Sequence, residues 1–428
     1  MSLRVPLPET GLPGLAPLIN GSLWDRWHSE GRVFSLTDRR ELFRYVRLKP
    51  DTSCRLTVFD RDTQGGFPPR GFRVDLYAGR ERALVAFAKE RGGFVDEEHL
   101  AVVTPFPNDP KIPGLRHCYR SYRLRRLLAD LLEERFPRTS WRTRRSNLQT
   151  ELLAYKPGRR AVVRVEVELV RGRAERSQVS VVLKLTEAGR AEPLHEKLAA
   201  LDVAIPFGTV VRRPRLLGFA ADRQAVALEY APGTPLRRLP QSQWAGALAQ
   251  AGRAVARLHA GAVASAPGIG SAGDRRSLPE LAADFRHLAP FAAKRIEEIR
   301  AALEQLEPDH AGLIHGDLHA GQILAHQDGA LLVDWDQAGR GPALRDVGGF
   351  LAHLEIMGAR RYGGPFLRGY ADESGAIPAE RELQRWTARM LFVRLGDPFR
   401  RLLPDWPERT LALLGRIEEL LRLGVAAG

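Results

Sequence analysis

The sequence predicts an α+β chain: a small β-rich lobe and a large helical lobe, preceded by an additional N-terminal α/β module. Three observations carry that reading. Strand-like runs with tight turns crowd residues 148–230, amphipathic helical runs dominate beyond Ser242, and the first 145 residues read as a module of their own. At roughly 150 residues per domain, 428 residues make two or three domains. A hydrophobic fraction of 44% beside 27% charged residues excludes a disordered chain. No run of about 18 apolar residues is present, so no membrane-spanning helix is expected.

In the module, residues 1–145, strand-like runs fall at Leu42–Leu48, Arg55–Asp60 and Phe72–Tyr77. A helical run near Glu81–Glu90 and a proline-rich passage at Thr104–Pro113 follow. A helix over Arg120–Phe136 closes the module, and Pro137–Ser140 reads as a linker. Residues 146–235 form the β-rich lobe with its hinge. Glu151–Tyr155, the turn Lys156–Arg160 and Ala161–Val170 read as strand, turn, strand, with β-branched residues in the second run. A third strand is expected at Gln178–Leu185, a short helix at Glu192–Leu201, and a strand at Val226–Tyr230 ending in Ala231-Pro-Gly-Thr-Pro235. Residues 236–428 form the helical lobe, with helices expected at Ser242–His259, Ser277–Leu306, Leu344–Met357, Glu380–Leu395 and Glu408–Leu423. Short strand pairs at Gly312–Leu324 and Ala330–Trp335 interrupt them. A cleft between two such lobes is where a small ligand sits.

The formal charge is +14, and with only seven lysines the basic excess is arginine. The densest run, Arg116–Arg145, holds ten arginines against Asp130, Glu133 and Glu134, with Tyr119, Tyr122 and Trp141 interleaved. Such a pattern suits a nucleic-acid backbone. Leu124, Leu127, Leu128, Leu131 and Leu132 recur there at helical spacing, however, and an amphipathic helix with a solvated arginine face needs less machinery. The helix is the preferred reading, and a basic nucleic-acid-binding surface over residues 116–145 is kept as an alternative. Cys54 and Cys118 lie far apart and outside any CxxC spacing, which excludes a disulfide framework or zinc ribbon and fits a reducing cytoplasm.

The strongest chemical signal is Leu313-Ile-His315-Gly-Asp317-Leu-His319-Ala-Gly-Gln322-Ile-Leu324, followed by Leu331-Leu-Val-Asp334-Trp-Asp336. The pair resembles the catalytic core of the aminoglycoside phosphotransferase and choline kinase superfamily, whose motifs run His-Gly-Asp-x-x-x-x-Asn and then Asp-[Phe/Trp]-[Asp/Glu]. The likeness spans about Leu148 to Pro404. Gln322 in place of the usual Asn, with Arg345-Asp346-Val-Gly-Gly-Phe-Leu beyond, looks most like the maltokinase-like branch. The resemblance implies a bilobal protein-kinase-like fold. It also implies Mg²⁺-dependent transfer of the ATP γ-phosphate to a small-molecule hydroxyl, on a sugar, amino-sugar or aminoglycoside. A nucleotide-binding scaffold without turnover is a further alternative, beside the nucleic-acid-binding surface.

Phosphoryl transfer asks little covalent chemistry of a protein; it asks that the acceptor be aimed and the phosphate charge neutralised. Asp317, in a loop between strands, is placed to take or orient the hydroxyl proton. Gln322, five residues on, offers an amide oxygen to the metal, and Asp334 offers a second hard oxygen ligand, with Asp336 in a supporting role. The remaining assignments are what the resemblance implies. Lys184 in Val181-Val-Leu-Lys184-Leu185 pairs with the α- and β-phosphates, with Lys156 and Lys197 as rivals, and Glu196 (or Glu192) holds its ammonium. Gly158 and Arg159 form the turn over the nucleotide, although no Gly-x-Gly-x-x-Gly is present. The Glu229 carbonyl and Ala231 N–H meet the adenine edge. His315 shapes the catalytic loop, His319 touches phosphate or substrate, and Asp346 ties the loop to a helix. Asp284, Glu297, Glu298, Asp372, Glu373 and Asp405 are the acids available to a cationic acceptor, though a solvated helix face accounts for them more simply.

Overall fold

The computed structural model describes residues 5–35, 43–60, 69–87, 92–144, 148–172, 175–205, 211–261, 276–305, 311–327 and 329–422. Helices α1 (Leu15–Asn20) and α2 (Ser22–Ser29) precede an antiparallel sheet. Its strands are β1 (Phe43–Lys49), β2 (Ser53–Phe59), β3 (Gly71–Tyr77), β4 (Phe94–Asp96) and β5 (Ala101–Pro105), in the order β1-β2-β3-β5-β4, with α3 (Arg80–Phe87) between β3 and β4. The expected strand start at Leu42 and helix end at Glu90 lie outside the described residues.

Next come α4 (Leu115–Cys118), α5 (Ser121–Leu131) and a six-stranded sheet. Its strands are β6 (Arg142–Thr143), β7 (Gln149–Lys156), β8 (Arg160–Arg171), β9 (Glu175–Thr186), β10 (Leu216–Ala220) and β11 (Ala225–Glu229), with α6 (Ala191–Ala204) after β9. Every other residue of β8 from Ala161 to Val167 is buried, the period expected of a strand with one face on the core. That face meets α5, whose Leu124, Leu127, Leu128 and Leu131 are buried while Arg123 and Arg126 face solvent. The middle of the arginine-rich run, Ser121–Leu131, is thus an amphipathic helix. Arg138 beyond it pairs with Asp130 at 2.9 Å, and Arg144 with Glu168 at 3.1 Å.

The helical lobe runs β12 (Thr234–Pro235), α7 (Gln241–Ala260), α8 (Leu278–Leu288), α9 (Ala293–Glu304), β13 (Ala311–Ile314), β14 (Ile323–His326), β15 (Gly329–Leu332), β16 (Gly339–Pro342), α10 (Ala343–Ile356), α11 (Gly363–Ser374), α12 (Glu380–Val393), α13 (Asp397–Arg400) and α14 (Trp406–Leu421). The single helix expected over Ser277–Leu306 is two, because Pro290 opens a 3-10 turn at Pro290–Ala292 that separates α8 from α9. Helix α11 escapes the sequence pattern because it opens on Gly363-Gly364-Pro365.

Packing does not divide at residue 145. Ile112, Leu115 and the α5 leucines share one core with β8, β9 and β11, so α4 and α5 belong to the β-rich lobe. Earlier residues, including Leu18, Trp24, Trp27 and Leu56, share a second core with α8, α9, α12 and α14 of the helical lobe. A third core, around Trp244, Leu248, Trp335 and Phe350, underlies the inter-motif strands. The architecture is the bilobal, kinase-like α+β fold, with an N-terminal segment touching both lobes. Among the described residues no helix is long and apolar enough to cross a membrane.

Candidate active site

Strands β13 and β16 pair with Ile314 opposite Gly339, which brings the ends of the two motifs side by side. Between them the chain turns at Gly316, where φ is +80° and a Cβ would lie 2.2 Å from the Gln337 carbonyl oxygen; only glycine fits. Asp346, in the first turn of α10, accepts the N–H groups of His315 (2.6 Å) and Gly316 (2.8 Å) and lies 3.3 Å from His259 Nε2. Burial opposes its charge, yet the His259 contact and the backbone donors hold its carboxyl below the usual range. His315 in turn bonds the Val333 carbonyl through Nε2 at 2.9 Å and lies against Trp335. Both residues brace the loop from beneath.

Above this brace, charges converge. Lys184, opposite Val162 and Val226 in the middle of the sheet, reaches across the cleft to the carboxylates of both Asp334 and Asp336. Arg160, the first residue of β8, adds Nη1 to Asp336 at 2.7 Å and Nη2 to Asp334 at 3.3 Å. Gln322 Nε2 donates to Asp334 Oδ2 at 3.2 Å. Burial works against every one of these charges. The attraction of Asp336 and Asp334 still leaves the Lys184 ammonium above its ordinary pKa, and Lys184 and Arg160 hold the Asp334 carboxyl far below its own. Asp334 sits at φ +66°, in the left-handed region that Asp tolerates better than bulkier residues.

A cavity of about 500 Å³ opens beside this cluster, ringed by Lys156, Arg159, Arg160, Arg190 and Lys197 against Glu187 and Asp336. Its cationic excess suits a polyphosphate. The β7–β8 turn roofs it. Gly158 there has φ +65°, and its N–H donates to Asp109 Oδ2 at 2.6 Å, an oxygen that also accepts the Tyr155 hydroxyl at 2.9 Å. The turn therefore offers the side chain of Arg159 to the cavity, while the Gly158 N–H is spent on Asp109. At the hinge, Glu229 closes β11, its carboxylate 3.7 Å from Arg135, and buried Ala231 follows.

Asp317 stands on the opposite side, half exposed, with Arg394 Nη2 3.5 Å from its Oδ1. Its charge also reaches Arg160 and His319. His319 caps its own loop by accepting the Gly321 N–H at 3.0 Å, and its ring centroid lies 5.1 Å from that of His353.

One expected residue falls outside. Glu196 is exposed and makes no contact with Lys184, and Glu192 is exposed as well. On α6 the inward stripe is Pro193, Leu194 and Lys197, and Lys197 donates to the Asp336 carbonyl at 3.1 Å. Lys184 takes its carboxylates from the second motif instead. Arg160 entered the sequence reading only as the end of the Lys156–Arg160 turn and Lys197 only as a rival of Lys184, while Arg394 and Asp109 had no role there. For the first two, basic residues beside the turn motif and the scarcity of lysine were the available signals.

Asp334, Asp336 and Gln322 fit a hard divalent cation. The Asp334 and Asp336 carboxylates lie together on Lys184, and turning the Gln322 carboxamide presents an oxygen beside them. The sequence profile of the phosphotransferase enzyme family (APH) matches residues 165–386, more than half of the chain. The chain belongs to that family. As a member, this phosphotransferase is a small-molecule kinase. Among solved structures it is similar to amicoumacin kinase hAmiN in complex with AMP-PNP, Ca²⁺ and Ami, at 16% identity over 71% of this chain and 95% of that one, TM-score 0.48. It is similar also to a thermostable mutant of aminoglycoside phosphotransferase APH(4)-Ia with AMP-PNP and hygromycin B, at 15% identity over 70% and 99%, TM-score 0.47. A choline/ethanolamine kinase family protein from Mesorhizobium loti shares 18% identity over 64% and 93%, TM-score 0.41. No curated protein matches the phosphotransferase.

Proposed function

We propose that the enzyme transfers the γ-phosphoryl group of ATP to a hydroxyl of a small molecule. The observation that supports this is the meeting of Lys184, Asp334, Asp336 and Gln322 beside the basic cavity. Arg159, Arg160 and Lys197 neutralise the incoming phosphates, and Lys184 trades its carboxylates for the α- and β-phosphate oxygens. Asp334 and Gln322 would hold Mg²⁺, with Asp336 supporting, and the ion when bound supplies Lewis-acid charge neutralisation at the phosphates. The Glu229 carbonyl and Ala231 N–H take the adenine edge. Asp317 accepts the acceptor's O–H hydrogen bond and orients its oxygen toward the γ-phosphorus. As the new O–P bond forms, the proton passes to Asp317, while the bond to the β–γ bridging oxygen breaks and its electron pair leaves with ADP. Asp346 and His315 position that loop, and His319 faces the acceptor.

Asp317→Asn tests the assignment, since the amide keeps the shape and cannot take the proton. ADP release coupled to acceptor phosphorylation is expected to fall on the order of 10³-fold. Nucleotide binding, read as a thermal shift with ADP, is expected to stay within about twofold of the parent. Undiminished transfer removes Asp317 from the role.

A further inference from the structure

The acceptor side of Asp317 carries more positive than negative charge. Arg394, just past the end of α12, is the ion-pair partner of Asp317, and its Nε is buried without a hydrogen bond. Among the described residues Arg237 meets the His353 ring, at 3.5 Å, and neither Arg237 nor Arg401 forms an ion pair. All three guanidinium groups bear on His353, whose own neutrality is caused first by burial and then by His319 and these cations. Arg394 and Arg401 also line a cavity of about 220 Å³ with Asp397 and Arg409. The carboxylate there is not free to balance them, because Asp397 is paired with Arg400 at 3.2 Å, while Arg409 is held by Asp405 at 2.8 Å.

The acids that a cationic amino-sugar would need are committed elsewhere. Asp284 pairs with Arg276, Glu297 with Arg286 and Arg300, Asp372 with Arg253, and Glu373 with Arg257. A polycation docking against Arg237, Arg394 and Arg401 meets like charge in a partly dehydrated site, which costs several kcal/mol. A neutral polyol can accept hydrogen bonds from Arg237 and Arg401 but leaves their charge uncompensated.

We propose that the acceptor is an anion: a hydroxylated small molecule whose carboxylate or phosphate lies against Arg394 and Arg401. This rests on the kinase reading above and narrows its substrate class. The bound oxyanion takes the Arg394 guanidinium and frees the Asp317 carboxylate for the hydroxyl. The transfer itself is unchanged: the hydroxyl oxygen bonds to the γ-phosphorus of ATP, ADP leaves with the bridging electron pair, and the proton goes to Asp317 and then to water.

The test uses the full chain with four probes on one ring: glucose, glucosamine, glucuronate and glucose 1-phosphate. Binding is measured calorimetrically with ADP present, and ADP release from ATP is measured in parallel. Glucuronate or glucose 1-phosphate is expected to bind at least about 30-fold more tightly than glucosamine, the two arms separating carboxylate from phosphate. In Arg401→Glu, a change at an exposed position, that preference is expected to shrink about tenfold or more with the ADP affinity unchanged. Equal or tighter binding of glucosamine, no binding of either anion, or an unmoved preference in the variant overturns the proposal. Failure of the kinase reading looks different: no ADP binding, or anion binding with no phosphate transfer to any probe.

Discussion

At the scale of single residues, the site sets opposed demands on neighbouring side chains. Lys184 and Arg160 hold the Asp334 carboxyl down and so keep it charged inside the site. His319 and His353 must stay neutral among arginines, and burial, ahead of those charges, lowers them to about 4 and about 3. Both values lie below the ordinary 6.5 of an exposed imidazole, so between the folded and unfolded values the unfolded chain binds more protons. The stability they contribute is complete above the unfolded value and is lost as pH falls toward the folded ones. His117, lowered first by burial, moves in the same direction. The melting temperature is therefore expected to drop by roughly 2–4 °C from about pH 7 to about pH 5, with the drop reduced in His353→Gln. Differential scanning fluorimetry across that range checks it, and a flat profile in the parent contradicts the placement of both rings. Asp334 and Asp346 act only below this window, where their depressed carboxyls begin to protonate.

At the scale of elements, the β7–β8 turn is held from outside its own lobe. Asp109 is fully buried, and besides Tyr155 and Gly158 it faces Arg73 Nη1 at 3.2 Å; Arg73 and Arg55 in turn share Asp75, and Arg55 donates to the Pro157 carbonyl at 3.2 Å. Removing one member leaves a buried charge unpaired. Asp109→Ala is expected to cost about 3–5 kcal/mol in urea unfolding and to raise the KM for ATP, because the turn loses its anchor. An unchanged KM separates the anchor from nucleotide binding. This contact also marks the limit of what the sequence discloses. The strand-turn-strand of β7 and β8 was legible because β-branched residues alternate with the burial they acquire. The loop of the first motif was legible as one unit because its polar residues, His315, Asp317, His319 and Gln322, follow one another closely between β13 and β14. The partner of Lys184 was not, since it lies 150 residues away, and counting along the next helix pointed to Glu196 instead. Asp109 and Arg394 were equally hidden: nothing local distinguishes a buried aspartate in a proline-rich passage or an arginine at a helix end. Helix α8 alone among these elements announces its start, through the Ser277–Glu280 capping box.

For the whole molecule, the N-terminal segment behaves as a strut between lobes. It grips the helical lobe where the Trp406 indole donates to the Pro6 carbonyl at 2.7 Å and where Asp51 approaches His287 at 3.5 Å. It grips the β-rich lobe through Asp109, which holds the β7–β8 turn. Within that lobe Arg135, beyond α5, reaches Glu229 at the hinge. Contacts at both ends of one segment therefore tie the two lobes together. A chain beginning at Leu148 keeps every motif residue, yet it uncovers Ala161, Val163, Val165, Leu183 and Leu185, all buried beneath α4 and α5, and strips Leu278, Phe285 and Phe399 of their N-terminal partners. Exposed apolar area of that kind costs about 25 cal/mol per Å², against a total stability of about 5–15 kcal/mol for an ordinary domain. The shortened chain is expected to be insoluble or to lack a cooperative melt. The full chain is expected to unfold in one transition, because its cores are shared across the lobes rather than confined to one. Trp406→Ala, which empties a buried aromatic site against Phe399 and Phe291, is expected to cost about 3–5 kcal/mol. Hydrogen exchange should locate the added opening in α1 and α14 together. Soluble, cooperatively melting material from Leu148 onward, or exchange confined to α14, means the segment is an appendage and the lobes close without it.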